Sequence, residues 1–173
     1  MLLCTTQRLT IRHLNEQDHE FVLQLLNDDT FIKNIGDKGV RETKDAMAYL
    51  VNGPLASYSE QGFGLNLVAL KNDNTPIGLC GLLKRPELEF PDLGYALLSE
   101  YCSQGFAREA SLAILKVAYD NNYAVNVVAI TSLENTPSNM LLKKLGFLFE
   151  QTVEFYGSTN NLYKVRLASL FEQ

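Results

Sequence analysis

The stretch from residue 92 to residue 132 limits the fold more than any other part of this chain. "DLGYALLSE" (92–100) is a mostly apolar, strand-like run, and "YCSQGFAREA" (101–110) follows it with one glycine in a short polar turn. A helix is predicted from about Gln104 to Asn122, because Phe106, Ala110, Ala113, Ile114 and Val117 fall on one face. "VNVVAITS" (125–132) then reads as a buried strand. A strand, a helix and a strand in that order make one central crossover unit of an α/β sheet.

The flanking segments extend that sheet. "RLTIRHL" (8–14) alternates polar and apolar residues as a strand does. In "NEQDHEFVLQLLND" (15–28) Asn15 is placed to cap a helix, Asp18 sits three residues on, and Phe21, Val22, Leu25 and Leu26 form a stripe. A second helix is predicted from Glu42 to Val51, ended by "NGP" (52–54). Residues 63–85 read as a hairpin, and "NTPSNMLLKKLG" (135–146) as a helix capped by Asn135, with Pro137 in its first turn and Gly146 as its stop. "FLFEQTVEFY" (147–156) and "LYKVRLASL" (162–170) finish as strands. The order β-α-α-β-β-β-α-β-α-β-β predicts one α/β domain over residues 1–173, with a mixed sheet of about seven strands and about four helices.

Charge and cysteine usage narrow the partners. The net charge is −5, and Lys84-Arg85 and Lys143-Lys144 are the only basic pairs, so no nucleic acid is expected. Three cysteines without C-x-x-C spacing fit a reducing compartment. The opening "MLLC" lacks a charged start, and no run of about 20 apolar residues spans a membrane. A cytoplasmic protein without a membrane partner is the expectation.

The turn around Gly105 has two readings. It is either a tight connection only, or a place where helix N-terminal N–H groups are bared to hold a phosphate. No Walker lysine and no G-x-G-x-x-G follow, so the standard nucleotide motifs do not match. Cys102, near the helix start, is either a packed thiol or one of lowered pKa able to carry an acyl group. His13 and His19 are isolated, Glu87 and Glu89 read as surface charges, and no metal site is expected.

Four segments, in order, resemble the GCN5-related N-acetyltransferases (GNAT), and within them the ribosomal-protein N-terminal acetyltransferase (RimJ/RimL-like) group. They are "TQRLTIRHLNEQD" (6–18), "IGLCGL" (77–82), "DLGYALLSEYCSQGFAREA" (92–110) and "NTPSNMLLKKLGF" (135–147), so the resemblance covers nearly the whole chain. It implies the GNAT fold, a mixed, mostly antiparallel twisted sheet flanked by helices, and transfer of acetyl from acetyl-CoA to a primary amine by direct attack in a ternary complex. It puts the cofactor's diphosphate on the N–H groups of Ser103, Gln104, Gly105, Phe106 and Ala107. The pantetheine arm lies beside Leu97, Leu98 and Ser99, and Asn135 and Ser138 line the thiol end. Two positions depart from the family: Cys102 where Gln or Arg is common, and Leu142 where many members carry a tyrosine that protonates the leaving thiolate.

Ser138 is therefore the candidate proton donor, or else a first-turn serine bonding its own backbone. Asp92, where this group often carries an acid before "GY", is the candidate proton acceptor, or else a solvated carboxylate at a strand start. The acceptor amine is expected to be a protein N-terminal α-amine, contacted from residues 28–60 and 154–161. A small amine (polyamine, amino sugar or amino acid) is the alternative, and a non-catalytic acyl-CoA-binding module the reading from another class. Either a monomer or a homodimer fits.

Overall fold

The computed structural model describes residues 1–172. The chain opens with β1 (Leu2–Thr5) and β2 (Leu9–His13), followed by α1 (His19–Leu26), α2 (Asp29–Asn34), α3 (Thr43–Leu50) and α4 (Ala56–Gln61). The antiparallel strands β3 (Leu65–Leu70), β4 (Pro76–Leu83) and β5 (Asp92–Leu97) lead into α5 (Phe106–Asp120) and β6 (Asn126–Ser132). Then come α6 (Thr136–Lys144), the hairpin of β7 (Leu148–Phe155) and β8 (Ser158–Arg166), and the short α7 (Ala168–Phe171).

Among the described residues, eight strands join one sheet in the order β1-β2-β3-β4-β5-β6-β8-β7, and only β5 and β6 run parallel. The crossover through α5 is what makes that pair parallel. One face packs on α5 and α6, with Leu93, Leu97, Phe106, Ala110, Leu115 and Leu142 in its core. The other packs on α1 and α3 through Val22, Leu25, Ala46, Leu50 and Leu98.

Several local signals hold. Asn15 and Asp18 form a reciprocal capping box. Asn135 caps α6, and Gly146, at φ 92°, leaves the helical region where a glycine is favoured. Other expectations change. β1 is an additional edge strand, paired with β2 and too short to show a period. "NGP" does not end the second helix: a π turn over Val51–Leu55 accommodates the buried Pro54, and the helix runs on through α4 to Gly62. The wider turn spaces the backbone around a ring that would break an α-helical ladder. The buried face of α5 is rotated, with Leu115 and Ala118 inward where Ala113 and Val117 are half-buried. The last strand ends at Arg166, and the chain turns into α7, whose Phe171 packs on Tyr119 of α5.

Candidate active site

β5 and β6 pair at one place only. Asp92 stands opposite Val128, and the Val128 N–H donates to the Pro91 carbonyl at 2.9 Å. The outer edge of β5 is taken by β4 from Leu83 to Gly78, and that of β6 by β8 along its whole length. The two inner edges therefore part beyond Asp92 and leave a wedge, open toward the C-terminal ends of both strands. α5 and α6 start at its mouth.

The loop into α5 alternates unusual backbone conformations. Ser103 has φ 61° and Gly105, the helix N-cap, φ 83°. Among the described residues nothing accepts from the backbone N–H groups of Ser103, Gln104, Gly105, Phe106, Ala107 or Arg108. Six neighbouring donors at the positive end of a 15-residue helix can hold an anion. Arg8 lies beside them: it donates to Glu109 Oε2 at 2.7 Å and the Gln104 carbonyl at 3.0 Å, and stacks 4.2 Å over Phe106. No local pattern signals Arg8, because 96 residues separate it from Gln104.

Of the residues expected along the wedge, Leu97 ends β5 opposite Gly78. Leu98 is turned into the α1–α3 core, with its N–H bonded to Ile77 and its carbonyl to Tyr101. Ser99 gives its N–H and hydroxyl to Asp28, at 3.0 and 2.6 Å, and its carbonyl accepts from Cys102. Cys102 is not an activated thiol: burial raises its pKa and the Asp28 charge raises it further. α5 begins four residues later, too far for its dipole to reverse this.

Two polar groups flank the open edge of β5, one on each face, as the two-residue period of a strand requires. On the α5–α6 face, Tyr95 shares a 2.7 Å hydrogen bond with Ser138, across 43 residues of sequence. Burial pushes the Tyr95 hydroxyl up to about 12. Ser138 N–H in turn donates to the capping oxygen of Asn135 at 3.3 Å. Asn139 anchors this turn: it donates to the Ser132 and Asn135 carbonyls and accepts from Asn161 and Tyr163. Leu142 is a buried core side chain. Tyr95 was legible in the sequence only as an inward strand residue.

On the α1–α3 face lies Asp92, and it is not a solvated carboxylate. It is buried, and Arg85 Nε donates to its Oδ2 at 2.7 Å. Burial pushes its pKa up to about 6 against the opposing effect of Arg85. The Ile130 backbone also lowers it, and among the described residues the buried Oδ1 has no hydrogen-bond partner. Arg85 reaches from the loop after β4 and sits 5.5 and 5.8 Å from the rings of Phe155 and Tyr156 at the tip of the β7–β8 hairpin. Its charge is also felt by the half-buried Tyr49 of α3. His13 stacks on Tyr58 and His19 bonds the Glu16 carbonyl, both outside the wedge. Among the described residues no three His, Cys, Asp or Glu side chains form a metal-binding group, and no helix is long and apolar enough to cross a membrane.

Residues 8–148 match the acetyltransferase (GNAT) domain family. The chain belongs to the GNAT acetyltransferases. An uncharacterized N-acetyltransferase of Bacillus subtilis, YnaD, is 29% identical over 142 residues, covering 82% of this chain and 80% of that protein. Among solved structures, RimL, a ribosomal L7/L12 α-N-protein acetyltransferase in complex with coenzyme A, superposes with a TM-score of 0.83. It is 15% identical, and the match covers 96% of this chain and 98% of RimL. The microcin C7 self-immunity acetyltransferase MccE, in complex with acetyl-CoA and AMP, gives 0.79 at 17% identity, over 93% of each chain. This GNAT protein is thus an acetyl-CoA-dependent N-acetyltransferase with the eight-stranded form of the fold.

Proposed function

We propose that the chain acetylates the α-amine of a peptide or protein N-terminus, by direct attack with both substrates bound. One observation carries this reading: a buried carboxylate with a free oxygen, Asp92, and a hydroxyl pair, Tyr95–Ser138, stand on opposite faces of the same open strand edge. The free N–H groups from Ser103 to Ala107 suit a diphosphate, with Arg8 adding a cation. The unpaired edge of β5 up to Leu97 suits the amides of the pantetheine arm, with Asn135 and Ser138 at its far end.

Bound acetyl-CoA supplies a thioester carbonyl. Asp92 takes the amine proton through water, because its Oδ1 is itself shut off from solvent, and Ser138 Oγ donates a proton to the departing sulfur. Tyr95 keeps that serine hydroxyl oriented; water restores the serine proton and takes up the one held by Asp92. A carboxylate near 6 is a weak base, matched better to an α-amine of pKa about 8 than to a lysine of about 10.4. RimL, which shares the fold, acts on an N-terminal amine.

Mass spectrometry of peptides with one free α-amine and one internal lysine tests this. Acetyl is expected on the α-amine; acetyl on the lysine alone, or only on a small amine offered beside the peptide, overturns it.

A further inference from the structure

Arg85 has hydrogen-bonding capacity that Asp92 does not use. A guanidinium presents five N–H donors in one plane. Nε is engaged by Asp92 Oδ2, and one Nη1 hydrogen by the Tyr156 hydroxyl at 3.4 Å. Among the described residues nothing accepts from Nη2. The Arg85 side chain is 29% exposed and that of Asp92 5%, so Arg85 is the member of the pair that reaches solvent.

The hairpin tip is shaped around it. Phe155 and Tyr156 cover its face at cation–π distance. To do so Tyr156 adopts φ 49°, next to Gly157 at φ 78°. A two-residue turn with both φ positive favours Asn-Gly or Gly-Gly, and a bulky ring there is strained. Strain of this kind is held where a side chain has a task. Here the task is to keep an aromatic ring and a hydroxyl against Arg85.

We infer that Arg85 selects acceptors carrying a carboxylate close to the amine: in a peptide, an acidic side chain at the first or second residue. This rests on Asp92 as proton acceptor, which puts the attacking amine near the carboxylate that Arg85 Nε holds at 2.7 Å. Successive Cα atoms are about 3.8 Å apart, so only the first two residues bring a side-chain carboxylate within reach. The planar fork matches a carboxylate as a lysine cannot. The same charge disfavours an ammonium beside it and so favours the neutral amine that attack requires. The net charge of −5 draws cationic molecules from a distance, whereas Arg85 reads the terminus locally.

Peptides differing only as Asp or Asn at the first or second residue, assayed with wild type, Arg85→Gln and Arg85→Lys, test the assignment. Wild type is expected to favour the Asp form by about 10-fold or more in kcat/KM, the range of a charge-assisted hydrogen bond. The ratio falls to near one in Arg85→Gln and stays between in Arg85→Lys. Taken within each protein, it is unaffected by a general loss of activity from disturbing Asp92, and Arg85→Lys serves if Arg85→Gln does not fold. A wild-type ratio of one or less, or a ratio that survives in Arg85→Gln, overturns the assignment. A free amino acid against its amide forms a second arm. If peptides stay unmodified and the amino acid outruns its amide only when Arg85 is present, the peptide reading fails and the role of Arg85 stands. If no amine is modified, calorimetry of the same Asp and Asn peptides on the CoA-loaded proteins decides: tighter Asp binding lost in Arg85→Gln supports the role, and equal affinities overturn it.

Discussion

Replacing Asp92 with asparagine removes the proposed proton acceptor while keeping its shape and an oxygen for Arg85 Nε. The carboxyl moves from an ordinary 3.8 to about 6 in the folded chain, mainly through burial. That difference corresponds to about 3 kcal/mol against the charged form. A raised pKa means that folding binds a proton, so the stability contributed by protonated Asp92 is complete below pH 3.8 and is lost as pH rises through about 6. Asparagine has no such dependence. Wild-type stability relative to Asp92→Asn should therefore fall by about 2 kcal/mol between pH 4.5 and pH 7.5, the part of the total lying in that window. Urea unfolding at the two pH values reads this, and other titrating groups cancel in the difference. In catalysis, wild-type kcat should rise with an apparent pKa near 6. In Asp92→Asn it should be about 100-fold lower or less active still, with that limb gone. A variant that keeps the limb, or a stability difference that does not change with pH, refutes the role or the burial argument respectively.

Ser138→Ala should lower kcat about 100-fold with unchanged acetyl-CoA affinity, and Tyr95→Phe should lower it less; wild-type turnover in Ser138→Ala returns the serine to a capping role. Gly105→Val should weaken CoA binding at least about 10-fold by calorimetry, and its left-handed backbone adds about 1–2 kcal/mol of strain. Gly62→Val, also left-handed but with open space around it, is the control and should bind CoA normally. Gly81→Ala should destabilise the fold by about 1–3 kcal/mol in urea, because a Cβ there would press on the Gly64 carbonyl and come 2.7 Å from Leu65 Cα. An unchanged midpoint would show that the β3–β4 contact can yield.

Most of what was legible in the sequence lies within a few residues of its cause. The Asn15–Asp18 box, the Asn135 cap and the Gly146 stop act over three or four residues, where a side chain meets its own backbone whatever the rest of the chain does. The two-residue period identified β2, and the crossover unit identified a parallel pair inside an otherwise antiparallel sheet. Local rules also misled. Pro54 broke the predicted helix at "NGP", yet the chain widens by one turn and keeps going, with Leu50 before the turn and Pro54 within it both buried.

By itself, then, the sequence determined the central strand–helix–strand unit and the helix caps, since each depends on near neighbours along the chain, and it left the turn at Gly105 with two readings. Only the tertiary structure decided the chemistry of the site. Tyr95 finds Ser138 across 43 residues, and Arg8 finds Gln104 across 96. Asp92 and Arg85 are only seven apart, but their burial comes from a sheet and a hairpin tip some 70 residues on. A carboxylate's pKa depends on how much water and charge surround it, and that surrounding exists only once distant segments have packed together.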